Sequence, residues 1–88
     1  MIASQKLPEL VRLVQSGSYA DAAKGLQSLA TEAPNDGRVF DLLSTAQALL
    51  AQRIPALRNA RRALELLGDQ PQVVVRCVSV LQRAGEYD

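Results

Sequence analysis

Gly17-Ser18-Tyr19-Ala20-Asp21-Ala22 is the stretch on which the fold turns. A near copy, Gly85-Glu86-Tyr87-Asp88, stands at the other end of the chain. The two lie 68 residues apart (85 − 17), or two periods of 34. Halfway between them Ala51 is followed by Gln52-Arg53-Ile54-Pro55-Ala56, the same kind of inter-helix turn with weaker chemistry. A fixed period of 34 residues is the spacing of stacked helix–turn–helix units.

Working outward from the first turn, Leu7, Leu10, Val11 and Val14 recur at helical spacing and predict a helix over residues 4–16. Pro8 suits a first turn better than a helix interior, so the regular helix is expected to begin near Leu7. Gly17 can take the left-handed conformation that ends it. Ser18, with Asp21 three residues on, is placed to cap the next helix. That second helix covers residues 19–32, with Ala22, Ala23, Leu26, Leu29 and Ala30 as its stripe; Pro34 stops it. Asp36 is a good N-cap for a third helix over 37–51, which carries Val39, Phe40, Leu43, Ala46, Leu49 and Leu50. A fourth begins near Pro55 and ends at Gly68, its stripe Ala56, Leu57, Ala60, Ala63, Leu64 and Leu67. Pro71 opens a fifth that reaches Arg83. Val73-Val74-Val75 favours a strand by propensity, but the same offset is helical in the other two units.

At 88 residues the chain has room for one small domain. Hydrophobic residues make up 48% and aromatics only 3%, so Leu, Val and Ala must build the core. Ten Lys and Arg against nine Asp and Glu give a net charge of +1, which argues against a charge-driven binder of nucleic acid or membrane. There is no His, and Cys77 is the only Cys, so no disulfide and no Cys/His zinc site forms within one chain. Neither a signal-peptide core nor a run of transmembrane length is present, and the expected location is cytoplasmic.

The three units, 3–36, 37–70 and 71–88, resemble the tetratricopeptide repeat (TPR) family. The turn of Gly, a polar residue and Tyr is seen at Gly17/Tyr19 and Gly85/Tyr87. The small residue early in each second helix is Ala22 and Ala56, and the second unit adds Phe40, Leu43, Ser44 and Ala63. Small residues let paired helices cross closely, and large ones fill the notch between units. Arg53 replaces the turn Tyr, Leu29 a late Ala, and Gly68 stands where Pro is usual. The resemblance implies an all-α, right-handed superhelix of five antiparallel helices in a single domain. The third unit stops at its turn, leaving its second helix absent.

Nothing in the chain reads as catalytic: no His, no phosphate loop, no nucleophile beside a base. Cys77 sits among Val74, Val78 and Leu81 and reads as a small buried hydrophobe. Tyr19 and Tyr87 read as packing aromatics. Arg58, Arg61 and Arg62 read as a solvated outer face with Glu65 as neighbour. The resemblance implies a concave recognition surface on the first helix of each unit. It carries over to Leu7, Val11 and Val14, then Arg38, Asp41, Thr45 and Leu49, then Val75, Arg76, Ser79, Gln82 and Arg83. Such a groove is apolar at one end and polar to basic at the other, and suits a peptide with an apolar half and an acidic or C-terminal half. One TPR subclass clamps the C-terminal carboxylate of heat-shock chaperones with two Lys, two Asn and a further basic residue. Here Leu7, Val11, Leu42 and Gln72 occupy four of those positions and only Arg76 matches, so that activity is not expected.

The expected function is therefore a non-catalytic protein-interaction module without cofactor or metal. Its partner is a peptide or protein, not nucleic acid or membrane. The alternatives are an N-terminal scaffold or oligomerisation segment of a larger enzyme, such as a transferase, and a purely self-associating module. Two apolar stripes on the fifth helix motivate the last: Val74, Cys77, Val78 and Leu81 on one side, Val73, Val80 and Ala84 on the other. The second stripe is the one expected to be open to a second copy.

Overall fold

The computed structural model describes the backbone of residues 2–86 and the side chains of residues 6–80 and Gln82. The described residues form five helices and no strand: α1 Ile2–Gln15, α2 Tyr19–Glu32, α3 Gly37–Leu49, α4 Arg53–Leu67 and α5 Pro71–Glu86. Connections of three or four residues turn each helix back onto the one before, and every consecutive pair packs together. In addition α3 touches both α1 and α5, so it contacts all four other helices.

The first and third connections are one motif, 34 residues apart. After α1, Gly17 has φ +89°; the Ser18 N–H donates to the Leu13 carbonyl at 2.8 Å and the Gly17 N–H to Val14 at 3.2 Å. After α3, Ala51 has φ +60°; the Gln52 N–H donates to Gln47 at 2.9 Å and the Ala51 N–H to Ala48 at 3.1 Å. Both are Schellman caps, which satisfy the last carbonyls of a helix by placing one residue in left-handed space. Glycine takes that conformation freely, whereas alanine pushes its Cβ against a carbonyl oxygen.

Asp36 caps α3 as expected: its backbone is extended and Oδ1 accepts from the Arg38 N–H at 3.1 Å. Ser18 occupies the cap position of α2, but its ψ of 59° is not extended and its side chain makes no capping bond, so the anticipated capping box does not form. Several boundaries also differ. α1 continues through Pro8, which is exposed, because Leu7, Leu10, Leu13 and Val14 all dock on the first core and hold the helix across the missing hydrogen bond. α5 runs past Arg83 and through Gly85 to Glu86. Glycine permits a left-handed turn without imposing one. Tyr87 and Asp88 lie outside the described residues. α4 starts two residues early, at Arg53, which still leaves Pro55 in the first turn, where no donor is needed.

The core is in two parts. Leu10, Ala22, Leu26, Leu29, Val39 and Leu43 form the first, among α1, α2 and α3. Ala56, Ala60, Ala63, Val73, Cys77 and Val80 form the second, on α4 and α5, with Phe40 and Ala48 of α3 against it. Thus α3 gives Val39 and Leu43 to one core and Phe40 and Ala48 to the other. Helices α3 and α4 run antiparallel, since the first residue of α3 meets the last residues of α4. A Cβ on Gly37 would stand 2.9 Å from Leu66 Cβ and collide with Leu67. Arg62 ties α4 to the preceding connection: it donates to the Pro34 carbonyl at 3.3 Å and Asn35 Oδ1 at 3.2 Å, and lies 5.9 Å from the Phe40 ring centre.

Two predictions follow from these placements. The side chain position of residue 17 has open space around it, so any penalty there is backbone strain alone. Gly17→Ala is expected to destabilise by about 1 kcal/mol and Ala51→Gly to stabilise by about 0.5–1 kcal/mol; urea midpoints moving in opposite directions are the readout. Ala22 and Ala56, both fully buried, are expected to lose about 1–3 kcal/mol each on substitution by Leu through overpacking. Unchanged melting of both variants would contradict their placement at helix crossings.

Candidate functional site

The site grows from the polar face of α3. Asp41, Ser44 and Gln47 recur at three-residue spacing and are all buried. Buried polar groups need partners, and each of these has one. Ser44 Oγ donates to the Asp41 carbonyl at 2.8 Å, and Gln47 Oε1 accepts from Asn59 Nδ2 of α4 at 2.7 Å. The Asp41 carboxylate takes the Arg76 guanidinium of α5 in a forked pair, Nε at 3.1 Å and Nη2 at 2.7 Å to Oδ2. Asp41 and Arg76 each lie near the start of their helices, so α3 and α5 run in the same direction.

Further along, α3 and α5 diverge to leave a groove of about 280 Å³ lined by Thr45, Ala48, Leu49, Val75, Arg76, Ser79 and Val80. Its floor is Ala48 and Val80. Leu49 and Val75 stand at its rim, 42% and 66% exposed. The Thr45 hydroxyl donates back to the Asp41 carbonyl at 3.0 Å. Five residues of the expected recognition surface therefore meet in one place: Thr45, Leu49, Val75, Arg76 and Ser79. Gln82 is exposed on the next turn of α5, and the Arg83 side chain lies outside the described residues.

Other members of that surface are placed differently. The groove takes no residue from α1. Leu7 and Val14 are half-buried against the first core, and Val11 is half-buried as well. Arg38 is exposed but donates to both Asp36 oxygens, at 3.1 and 3.0 Å. Those hydrogen bonds hold the Asp36 carboxyl below its usual value, with burial opposing. The stabilisation is thus present at neutral pH and lost as pH falls through the lowered value. Arg76 is likewise answered within the chain, its pKa raised chiefly by the Asp41 hydrogen bonds. The expected basic end of the groove is therefore largely neutralised.

The inward face of α5 also differs from expectation: Cys77 of the first stripe is buried as expected, but with Val73 and Val80 of the second. Val73 and Val80, taken as open to a second copy, are 3% and 8% exposed and belong to the second core with Cys77. The exposed apolar residues are Val75 and Val78. Ala84 lies outside the described side chains. The face that α5 turns inward, held by Val73, Cys77 and Val80 in the core, also brings Arg76 against Asp41. Sequence reasoning treated those two residues as separate ligand contacts. Their separation of 35 residues, one from the repeat period, with opposite charge, is the signal that joins them.

Burial raises the Cys77 thiol pKa, Asp41 adds to the rise, and Arg76 opposes it. The thiolate that reactive chemistry requires is therefore disfavoured. Among the described residues no group of three or more His, Cys, Asp or Glu could hold a metal ion. No described helix is long and apolar enough to cross a membrane. No family model, curated protein or solved structure matches the chain.

Truncating the ion pair should be asymmetric. Arg76→Ala strands a carboxylate whose side chain is 10% exposed, while Asp41→Ala releases an arginine that is 53% exposed. Arg76→Ala is expected to cost about 2–3 kcal/mol, discounted from a fully buried pair because water reaches the arginine side. Asp41→Ala is expected to cost less. Chemical denaturation of the two variants and their double mutant measures both values.

Proposed function

We propose that the chain is a TPR-like helical repeat module. It binds a peptide segment of a protein partner in the groove between α3 and α5 and performs no catalysis of its own. The observation that carries this reading is the convergence of Thr45, Leu49, Val75, Arg76 and Ser79 on one groove. Those positions are the ones that the resemblance to the TPR family implies for recognition. Two Schellman caps 34 residues apart support the same register.

The groove's chemistry narrows the ligand. With Arg76 held by Asp41 and Arg38 by Asp36, no unanswered charge among the described side chains selects a carboxylate there. Exposed Leu49 and Val75 over a floor of Ala48 and Val80 favour an apolar anchor, and the Ser79 hydroxyl is available at the rim. The ligand is a short peptide presenting one or two medium-sized apolar side chains, without a required acidic terminus.

A displayed random-peptide library panned against the chain tests this. Enriched sequences should carry an apolar anchor, and Leu49→Asp or Val75→Asp should abolish their capture while far-UV circular dichroism stays unchanged. Failure to enrich any sequence, or enrichment indifferent to both substitutions, would sink the groove assignment. Ser79→Ala is expected to weaken capture only modestly, by about 0.5–1.5 kcal/mol for one neutral hydrogen bond.

A further inference from the structure

Beside the scattered Lys6, Arg12 and Lys24, two cations left unanswered by the fold stand together elsewhere, on the outer face of α4. Three of the chain's arginines are neutralised by carboxylates: Arg38 by Asp36, Arg62 by Glu65 and Arg76 by Asp41. Arg58 and Arg61 are both exposed and have no partner among the described residues. They lie three residues apart, where like charges on a helix repel. Ile54, Arg58, Arg61 and Glu65 follow one another at spacings of four, three and four, which places them on a single helix face.

That face is not merely a solvated surface. Ile54 is 58% exposed, and half-buried Leu57 lies beside it. Together with Arg58, Arg61, Arg62 and Glu65 they line a shallow depression of about 430 Å³. The start of α4 adds to the positive field. Its cap residue Gln52 makes no side-chain capping bond, and its first turn holds no acidic residue. No carboxylate of that first turn offsets the partial positive charge of the helix N-terminus.

We infer that the outer face of α4 is a second docking surface, separate from the groove, and that it takes an acidic amphipathic helix of a protein partner. The charge arrangement selects the occupant. Two carboxylates one helical turn apart meet Arg58 and Arg61, and an adjacent Leu or Phe covers Ile54 and Leu57. A nucleic-acid backbone is a poorer fit: its binding depends on neutralising many phosphates, whereas this face offers two free guanidinia and a carboxylate in a chain of net charge +1. A membrane surface draws little from two cations.

The test is fluorescence anisotropy at low salt with a labelled, amidated helical peptide of Glu, Leu and Ala. Glutamates one turn apart are flanked by leucine, and a second peptide has Gln in place of every Glu. The acidic peptide should bind and the Gln peptide should not, and added salt should weaken the binding. Arg58→Glu and Arg61→Glu should each weaken it by about tenfold, and Ile54→Ser should weaken it while preserving the salt dependence. Arg58→Ala with Arg61→Ala serves if the charge reversals disturb folding, as read by circular dichroism. Leu49→Asp, in the groove, should leave this binding unchanged, so the two surfaces are judged independently. The inference is overturned if the acidic peptide does not bind, if the Gln peptide binds equally, or if the α4 variants bind as the parent does. It is equally overturned if duplex DNA or phosphatidylserine vesicles bind more tightly under the same conditions.

Discussion

Helix α3 has to be buried from two sides at once, and the rest of the molecule is arranged around that constraint. It contributes Val39 and Leu43 to the first core, and Phe40 and Ala48 to the second. A helix covered on two faces has little perimeter left for polar residues, and a buried polar group without a partner is costly. Asp41, Ser44 and Gln47 are therefore confined to the seam and paired there: Asp41 with α5, Gln47 with α4, Ser44 with its own backbone. Neighbouring helices must come close enough to serve it. This accounts for the row of fully buried alanines on α4 and for Gly37 beneath Leu66 and Leu67.

The Asp41–Arg76 pair does two things in this arrangement. It fits the rotation of α5 that turns Val73, Cys77 and Val80 inward and leaves Val75, Val78 and Ser79 outward. It also uses up the charge that would otherwise make the α3–α5 groove selective for an anion. The apolar groove and the cationic surface are consequently separated in space: the first between α3 and α5, the second on the outside of α4.

Much of the fold was legible because its determinants are local. Gly17, Pro34 and Asp36 act within a few residues of themselves, and the helix limits they imply lie close to those observed. Ala51 carries no local sign of a left-handed backbone; only its distance of 34 from Gly17 exposes it. The candidate groove was legible in part, since the register located its α3 and α5 residues while α1 stays outside it. Periodicity found two apolar stripes on α5 but could not say which faces inward. That depends on the rotation of α5 against its neighbours, which is fixed by contacts distant in sequence, the Asp41–Arg76 pair among them. For the same reason Arg38 and Arg76 looked like ligands when each has an internal partner. Pro8 misled because a docked apolar stripe outweighs one missing helical hydrogen bond.

The division of the core has a consequence for how its two halves are held together. The half made by α4 and α5 is built largely from alanines, each offering little apolar area, whereas the half made by α1 and α2 contains several leucines. Burial free energy scales with that area, so the α4–α5 half has less apolar burial of its own to lose, and its attachment leans on its ties to α3, Asp41 with Arg76 and Gln47 with Asn59. One wall of the groove belongs to each half. A peptide bound as proposed between Leu49 and Val75 would bridge the two, and would slow amide exchange in α5 in proportion to its occupancy. Ligand capture and local unfolding become two readings of a single equilibrium.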